Sequence, residues 1–412
     1  MSDDFIYQSL NKSLLNIPPT ILNHFDIKTN RASLPENMTS NVKGCSKLIF
    51  FMIDGLGFNI FDKYADKDFF KVFKDKGQIN KITSVFPPTT ASAITTLHTG
   101  LAPIEHGYFE WNLYMPSIGE IIESLPYEIV VTEFTDTKTN LPQNSSLIFN
   151  GKTIYETLKE NQVESVIFLP EDISDGIYTK ATSRKAKVIG YKDLPDLLFS
   201  LVSTLEHSNS QLFCYVYWPA VDNVEHAYGV WTDETKKEVE KLSKYLEQDF
   251  LIKLSSNISA DTGIFFTADH GQEDIDLENI TLLNNHSYLT ERYELNSKGN
   301  PILPSGSPRD IFLHIKQDKI DEIISYLEKE LNNKSQVLKL DKQTIKQLFG
   351  NFTPHGEFLK RLGNVLILSK GSHACWYEYN IEKKLDLKGH HGSLLKGEMI
   401  IPFGSAKASD LT

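Results

Sequence analysis

Leu48-Ile49-Phe50-Phe51-Met52-Ile53-Asp54-Gly55 is the stretch that decides the fold. A strand with one face in water alternates apolar and polar residues. A run apolar on both faces suits a central parallel strand, covered by helices above and below. Two more runs read the same way: Leu212–Trp218, and Gly263–Thr267 running into Ala268-Asp269-His270. Around them the chain alternates. Strands are expected at 82–86, 127–131 and 163–169, and helices at 59–76, 89–97, 192–206 and 234–254. Gly100 stands as a stop signal after the second helix. This rhythm predicts an α/β fold, with a central mostly parallel sheet and helices on both faces. After Gly271 it changes to polar loops, a helix over 319–331, and strands at 311–315 and 364–369. Residues 1–46 read as an N-terminal extension, and 47–412 as one catalytic domain with an insertion or cap within 280–388.

Composition sets limits on function. The 412 residues are 40% hydrophobic and 23% charged, the balance of a soluble globular protein. A net charge of -12 gives no electrostatic help in holding a nucleic acid polymer or an anionic membrane. An anionic substrate would need local positive charge, and bound metal is the obvious source. Met1–Leu10 lacks the basic and apolar regions of a signal peptide, and no apolar run has the length of a membrane span. Cys45, Cys214 and Cys375 are sparse, odd in number and without C-x-x-C spacing. They read as free thiols in a reducing cytoplasm.

Chemistry gathers where strands end. Ligands of open α/β sheets bind at the carboxyl ends of the strands. Asp54 follows the first run, Asp222 and His226 follow the second, and Asp269 and His270 follow the third. The D-x-x-x-H spacing of Asp222 and His226 puts both on one face if that turn is helical. A further pair, His390-His391, precedes Gly392. Carboxylates and imidazoles are the ligands zinc takes, and manganese accepts them too. Three Asp and three His suffice for two divalent ions, which hydrolytic sites hold roughly 4 Å apart. Thr89 and Thr90 lie at a strand-to-helix junction, where free N–H groups and the helix dipole favour anions. A threonine hydroxyl becomes a competent nucleophile when a metal lowers its pKa. Two divalent ions, three carboxylates and one alkoxide sum to zero charge.

Each residue also has a plainer reading. Asp54 could cap a helix. His98 and His106 are assigned structural roles, and Thr95, Thr96 and Thr99 the face of a helix. Arg309 and Arg361 are expected in salt bridges. His373 is open between a surface position and a substrate contact.

Taken together, the motifs resemble the alkaline phosphatase superfamily, and within it the bacterial type of the nucleotide pyrophosphatase/phosphodiesterase branch. They are M-I-D-G-L-G (52–57), F-P-P-T-T-A-S-A (86–93), T-G-L-A-P-I-E-H-G (99–107), D-N-V-E-H-A-Y-G (222–229), T-A-D-H-G (267–271) and H-H-G (390–392), in the family's order. S-G-S-P-R-D (305–310) and R-L-G-N-V (361–365) are similar to stretches of bacterial members. The resemblance implies that Asp54, Asp269 and His270 hold one zinc, which also touches Thr90. Asp222, His226 and His391 would hold the other. It makes Thr90 the nucleophile rather than Thr89, and prefers His391 to His390. It implies hydrolysis of a small phosphate ester, such as a nucleotide, by a phosphodiesterase or nucleotide pyrophosphatase. A phosphomonoesterase or carbon–phosphorus hydrolase is the alternative within hydrolases, and an inactive metal-binding recognition protein the alternative outside them. One departure stands out. Family phosphodiesterases carry an Asn after the H-G-I motif that helps bind a phosphoryl oxygen. Here Trp111 falls at that place and Asn112 one position late, so both are candidate substrate-binding residues.

Overall fold

The computed structural model describes residues 4–135, 141–380 and 385–412. The remaining residues lie outside it, including 1–3 of the expected extension and 381–384 of the expected cap.

The three apolar runs become neighbouring parallel strands, Thr262–Thr267, Lys47–Ile53 and Leu212–Trp218. All three bury nearly every side chain. Glu164–Pro170 and Lys187–Tyr191 extend the sheet in parallel on one side. On the other side, Ile400–Lys407 enters antiparallel and carries Gln78–Thr83 at the edge. The α/β fold with a central mostly parallel sheet is therefore the one the apolar runs predict. The Ile400–Lys407 strand has no counterpart among the expected strands.

Several boundaries differ, each for a local reason. The helix expected over 59–76 is two, Phe58–Tyr64 and Asp68–Lys76, because Lys67 is extended and Asp68 left-handed. The strand expected at 82–86 is Gln78–Thr83; beyond it Ser84 bonds to the Met399 carbonyl and the chain turns toward the threonines. The helix expected over 234–254 stops at Tyr245 and continues as a π turn and a 3-10 turn. The strand expected at 127–131 is only Glu128–Ile129.

A second, antiparallel sheet runs in the order 335–339, 365–369, 310–313, 305–307, 112–115, 120–123 and 128–129. The helix Ile320–Leu331 covers it with Ile323 and Leu327. Its strand Asn112–Met115 pairs through Asn112 with Gly306, which brings the Trp111 segment to this sheet. Residues before the first strand add Leu14, Ile17, Ile21 and Val42 to the main core. Among the described residues no helix is long and apolar enough to cross a membrane.

Candidate active site

Register places the acidic residues together. Met52 pairs with Tyr217 on one side and Thr267 on the other, so the three strands end level. Past the ends, the Asp54 N–H donates to the Trp218 carbonyl (2.9 Å) and the Asp222 N–H to the Asp54 carbonyl (3.1 Å). Gly55 is left-handed (φ 75°), and a Cβ there would lie 2.7 Å from the Asp222 Cα, so the approach of these segments needs glycine. Asp222 and His226 share the helix Ala220–Tyr228, as their spacing suggests.

The structure brings two groups of ligand-type atoms together, Asp54 with Asp269 and His270, and Asp222 with His270 and His391. His270 Nε2 lies 3.2 Å from Asp269 Oδ2, 3.6 Å from Asp54 Oδ1 and 3.1 Å from the Thr90 hydroxyl. His226 Nε2 lies 3.3 Å from Asp222 Oδ2, and His391 Nε2 lies 3.9 Å from Asp222 Oδ1. His226 thus stands beside Asp222 but outside the tighter grouping that His391 shares with it. The rings of His270 and His391 stack at 3.5 Å.

Three buried carboxylates so close, with no Lys or Arg ion pair among the described residues, form a group that a cation would neutralise. Asp54 Oδ1 and Asp269 Oδ2 are buried and have no hydrogen-bond partner. Two of the three histidines are also prepared for one, while His270 Nδ1 is buried without a partner. His226 Nδ1 is held by the Gly389 carbonyl (2.7 Å) and His391 Nδ1 by the Pro88 carbonyl (3.0 Å). A carbonyl on Nδ1 fixes the tautomer and turns Nε2 inward, the usual support of a metal-binding imidazole. The donor set of carboxylates and imidazoles therefore fits zinc-type ions. Charge follows the same logic. Burial, then Asp269 and Asp222, pushes Asp54 well above the usual carboxylate range. Asp222 goes the other way, since His226 first, then His391 and His270, outweigh its burial.

Thr90 opens the helix Thr90–Thr99, which Gly100 closes in the left-handed conformation. Thr89 instead sends its hydroxyl to the Phe109 carbonyl (3.2 Å). Asn112 is buried and donates to the Gly306 carbonyl (3.2 Å), while Trp111 is 40% exposed. His390 is buried with its Nδ1 accepting from the His391 N–H, so it is His391 that faces Asp222. His98 bonds to Tyr155 and His106 to Thr96. Arg309 pairs with Glu398, whereas Arg361 donates to the Gly107 carbonyl rather than to a carboxylate. His373 is buried between the hydroxyls of Thr281 and Ser335.

Sequence reasoning passed over two residues here. The Tyr217 hydroxyl donates to Asp54 Oδ2, and Gln272 Nε2 donates to Asp222 Oδ1 (2.5 Å). Position offers the only hint: Tyr217 sits near the end of a buried strand, and Gln272 directly follows D-H-G.

The model of the type I phosphodiesterase/nucleotide pyrophosphatase family matches residues 48–394. The chain belongs to this family. It is a metal-dependent family of the alkaline phosphatase superfamily, and its phosphodiesterase activity is the activity of this enzyme's class. A search of curated proteins gave no match. Among solved structures, murine ectonucleotide pyrophosphatase/phosphodiesterase 5, in an inactive form in complex with AMP, is similar with a TM-score of 0.65 and 17% identity. The human protein of that name is similar with a TM-score of 0.63 and 16% identity. In both cases the match covers 87% of each chain. These likenesses are of fold, and the family membership rests on the match over 48–394.

Proposed function

We propose that this family member hydrolyses small phosphodiesters of the nucleotide class, with Thr90 as nucleophile. The observation that carries the reading is the Thr90 hydroxyl, at a helix N-terminus and 3.1 Å from His270 Nε2, beside three buried carboxylates. Two divalent ions of the zinc type, held by Asp54, Asp269 and His270 and by Asp222, His226 and His391, would lower the pKa of the hydroxyl and neutralise developing charge. Manganese is compatible with the same donors.

The chain's own groups do the rest. Thr90 Oγ gives up its proton to solvent and attacks phosphorus in line, forming an O–P bond as the bond to the leaving oxygen breaks and that oxygen takes up a proton from water. The free N–H groups at the start of the helix stabilise the phosphoryl oxygens. Water then cleaves the threonine–phosphorus bond of this nucleotidyl-threonine diester, which releases the nucleoside monophosphate and restores the hydroxyl. His391, held by the Pro88 carbonyl, keeps its Nε2 directed at Asp222 throughout.

Charge at the site separates the substrate classes. A monoester dianion usually calls for extra cationic contacts, and the two arginines in question are engaged elsewhere, Arg309 with Glu398 and Arg361 with Gly107. This favours diesters over the monoesterase or phosphonate alternatives. The AMP complex of the murine neighbour supports a nucleotide substrate. The free, buried Cys45, Cys214 and Cys375 support a reducing, cytoplasmic setting.

Trp111 offers an exposed apolar face for a leaving group or a nucleoside. With the zinc-loaded chain and a nitrophenyl nucleotide diester, Trp111→Ala is expected to raise KM several-fold and change kcat less, because stacking contributes equally to ground and transition states. Asn112→Ala is expected to leave kcat within a few-fold, since its amide is spent on the Gly306 carbonyl. A large loss of kcat in Asn112→Ala with none in Trp111→Ala would reverse these roles.

A further inference from the structure

We infer that Tyr217 and Gln272 are positioning residues that restrict Asp54 and Asp222 to one-oxygen ligation and so select zinc over ions that need more oxygen ligands. The inference rests on the two-ion reading above.

Each of the three carboxylates has one oxygen held by a donor of the protein. Asp54 has Oδ2 bonded to the Tyr217 hydroxyl, while Oδ1 is buried without a partner and faces His270. Asp269 has Oδ1 bonded to two backbone N–H groups, of Gly55 (3.1 Å) and His270 (2.9 Å), while Oδ2 is buried without a partner. Asp222 has Oδ1 bonded to Gln272 Nε2 and 3.9 Å from His391 Nε2, while Oδ2 lies 3.3 Å from His226 Nε2. In each case a donor of the protein holds one oxygen, and for Asp54 and Asp269 the other is left buried without a partner. Backbone does this for Asp269 and needs no particular side chain. For Asp54 and Asp222 the donor is a side chain, so the sequence could have chosen otherwise.

The two donors are themselves held. Tyr217 is fixed in its strand opposite Met52, and its carbonyl accepts the Tyr191 hydroxyl (2.7 Å). Gln272 is 3% exposed and its amide also donates to the Asp222 carbonyl (3.2 Å). Neither side chain can swing away without leaving a buried polar group unpaired, which is costly.

Ion chemistry gives the consequence. Zinc is content with four ligands, one atom from each group. Calcium takes six to eight oxygens and often both atoms of a carboxylate, and manganese prefers an octahedral oxygen-rich shell. A hydrogen bond to one oxygen uses one of its lone pairs and biases the carboxylate toward one-atom ligation, which suits the first better than the others. Releasing that oxygen should therefore cost zinc affinity while sparing, or even helping, the oxygen-seeking ions.

The test uses the full chain and the variants Tyr217→Phe and Gln272→Met, each of which keeps the bulk and loses the donor. Zinc and manganese affinities are measured by chelator competition, with bound ions counted by elemental analysis. Tyr217→Phe is expected to weaken zinc about 10- to 100-fold at the site that Asp54→Ala empties. Gln272→Met should do so at the site that Asp222→Ala empties. In both, manganese should weaken less, so the zinc-to-manganese preference falls. Equal losses for the two ions, or none, would overturn the inference and leave a merely structural role. If Tyr217→Phe does not fold, Gln272→Met carries the same test on the other carboxylate. A wild-type chain that takes up fewer than two zinc ions would instead overturn the two-ion reading, and this inference with it.

Discussion

Thr90→Ala is expected to lower phosphodiester turnover on the order of a thousandfold or more, as loss of a nucleophile does, while fold and ion uptake persist. The side chain is half-buried at the first position of its helix, and its hydroxyl meets His270 Nε2. Alanine is at least as good a helix former, so removing the hydroxyl threatens little structure. Thr89→Ala is the control. Its hydroxyl serves the Phe109 carbonyl, so the change should cost about 1 kcal/mol of stability and keep much of the activity. Rapid acid quenching with a labelled diester should trap label on the wild-type chain and none on Thr90→Ala. A Thr90→Ala chain that turns over like wild type would replace covalent attack by direct attack of water.

The second large effect concerns Asp222. It lies between His226 and His391, so Asp222→Ala is expected to remove one ion of the two and at least a hundredfold in kcat/KM. Ion uptake should also depend on pH in a definite direction. Burial and the neighbouring carboxylates raise the pKa of Asp54, and Asp222, opposing burial, raises that of His226. Both groups therefore hold protons in the ion-free folded chain that they release in the unfolded one at the same pH. Their contribution to ion-free stability is present at low pH and is lost as pH rises through the raised folded values. Zinc must displace those protons, so its affinity rises with pH. The gain in Tm on adding zinc should accordingly be larger at about pH 8 than at about pH 6. A gain that shrinks over that interval would contradict this charge assignment.

Much of this was legible because burial and chemistry coincide in short segments. Leu48–Ile53 and Leu212–Trp218 are apolar on both faces because both faces are covered. Their acidic successors had to emerge at one edge of the sheet. Ile400–Lys407 was hidden for the opposite reason. It carries Pro402 and Gly404, which argue against an inner strand, yet it pairs on both sides. The break at Lys67 was hidden because Phe61, Phe69, Phe70 and Phe73 keep an apolar pattern running through it.

Within the site, residues that must carry a particular ligand atom were readable one by one. Residues that act by hydrogen-bonding to them were not. A tyrosine near a strand end or a glutamine after glycine has many ordinary uses, and only tertiary structure brings Tyr217 to Asp54 and Gln272 to Asp222. The same holds for Asn112. Its place one residue past Trp111 left its partner open until strand pairing set it against Gly306.

The most direct test of the central claim is the ratio of kcat/KM for a nitrophenyl nucleotide diester to that for nitrophenyl phosphate, measured on the zinc-loaded chain. The arrangement of Thr90, the buried carboxylates and the engaged arginines predicts a ratio well above one. A ratio well below one would contradict the diesterase reading and favour a monoesterase, and a zinc-loaded chain that turned over neither ester would contradict hydrolysis at this site.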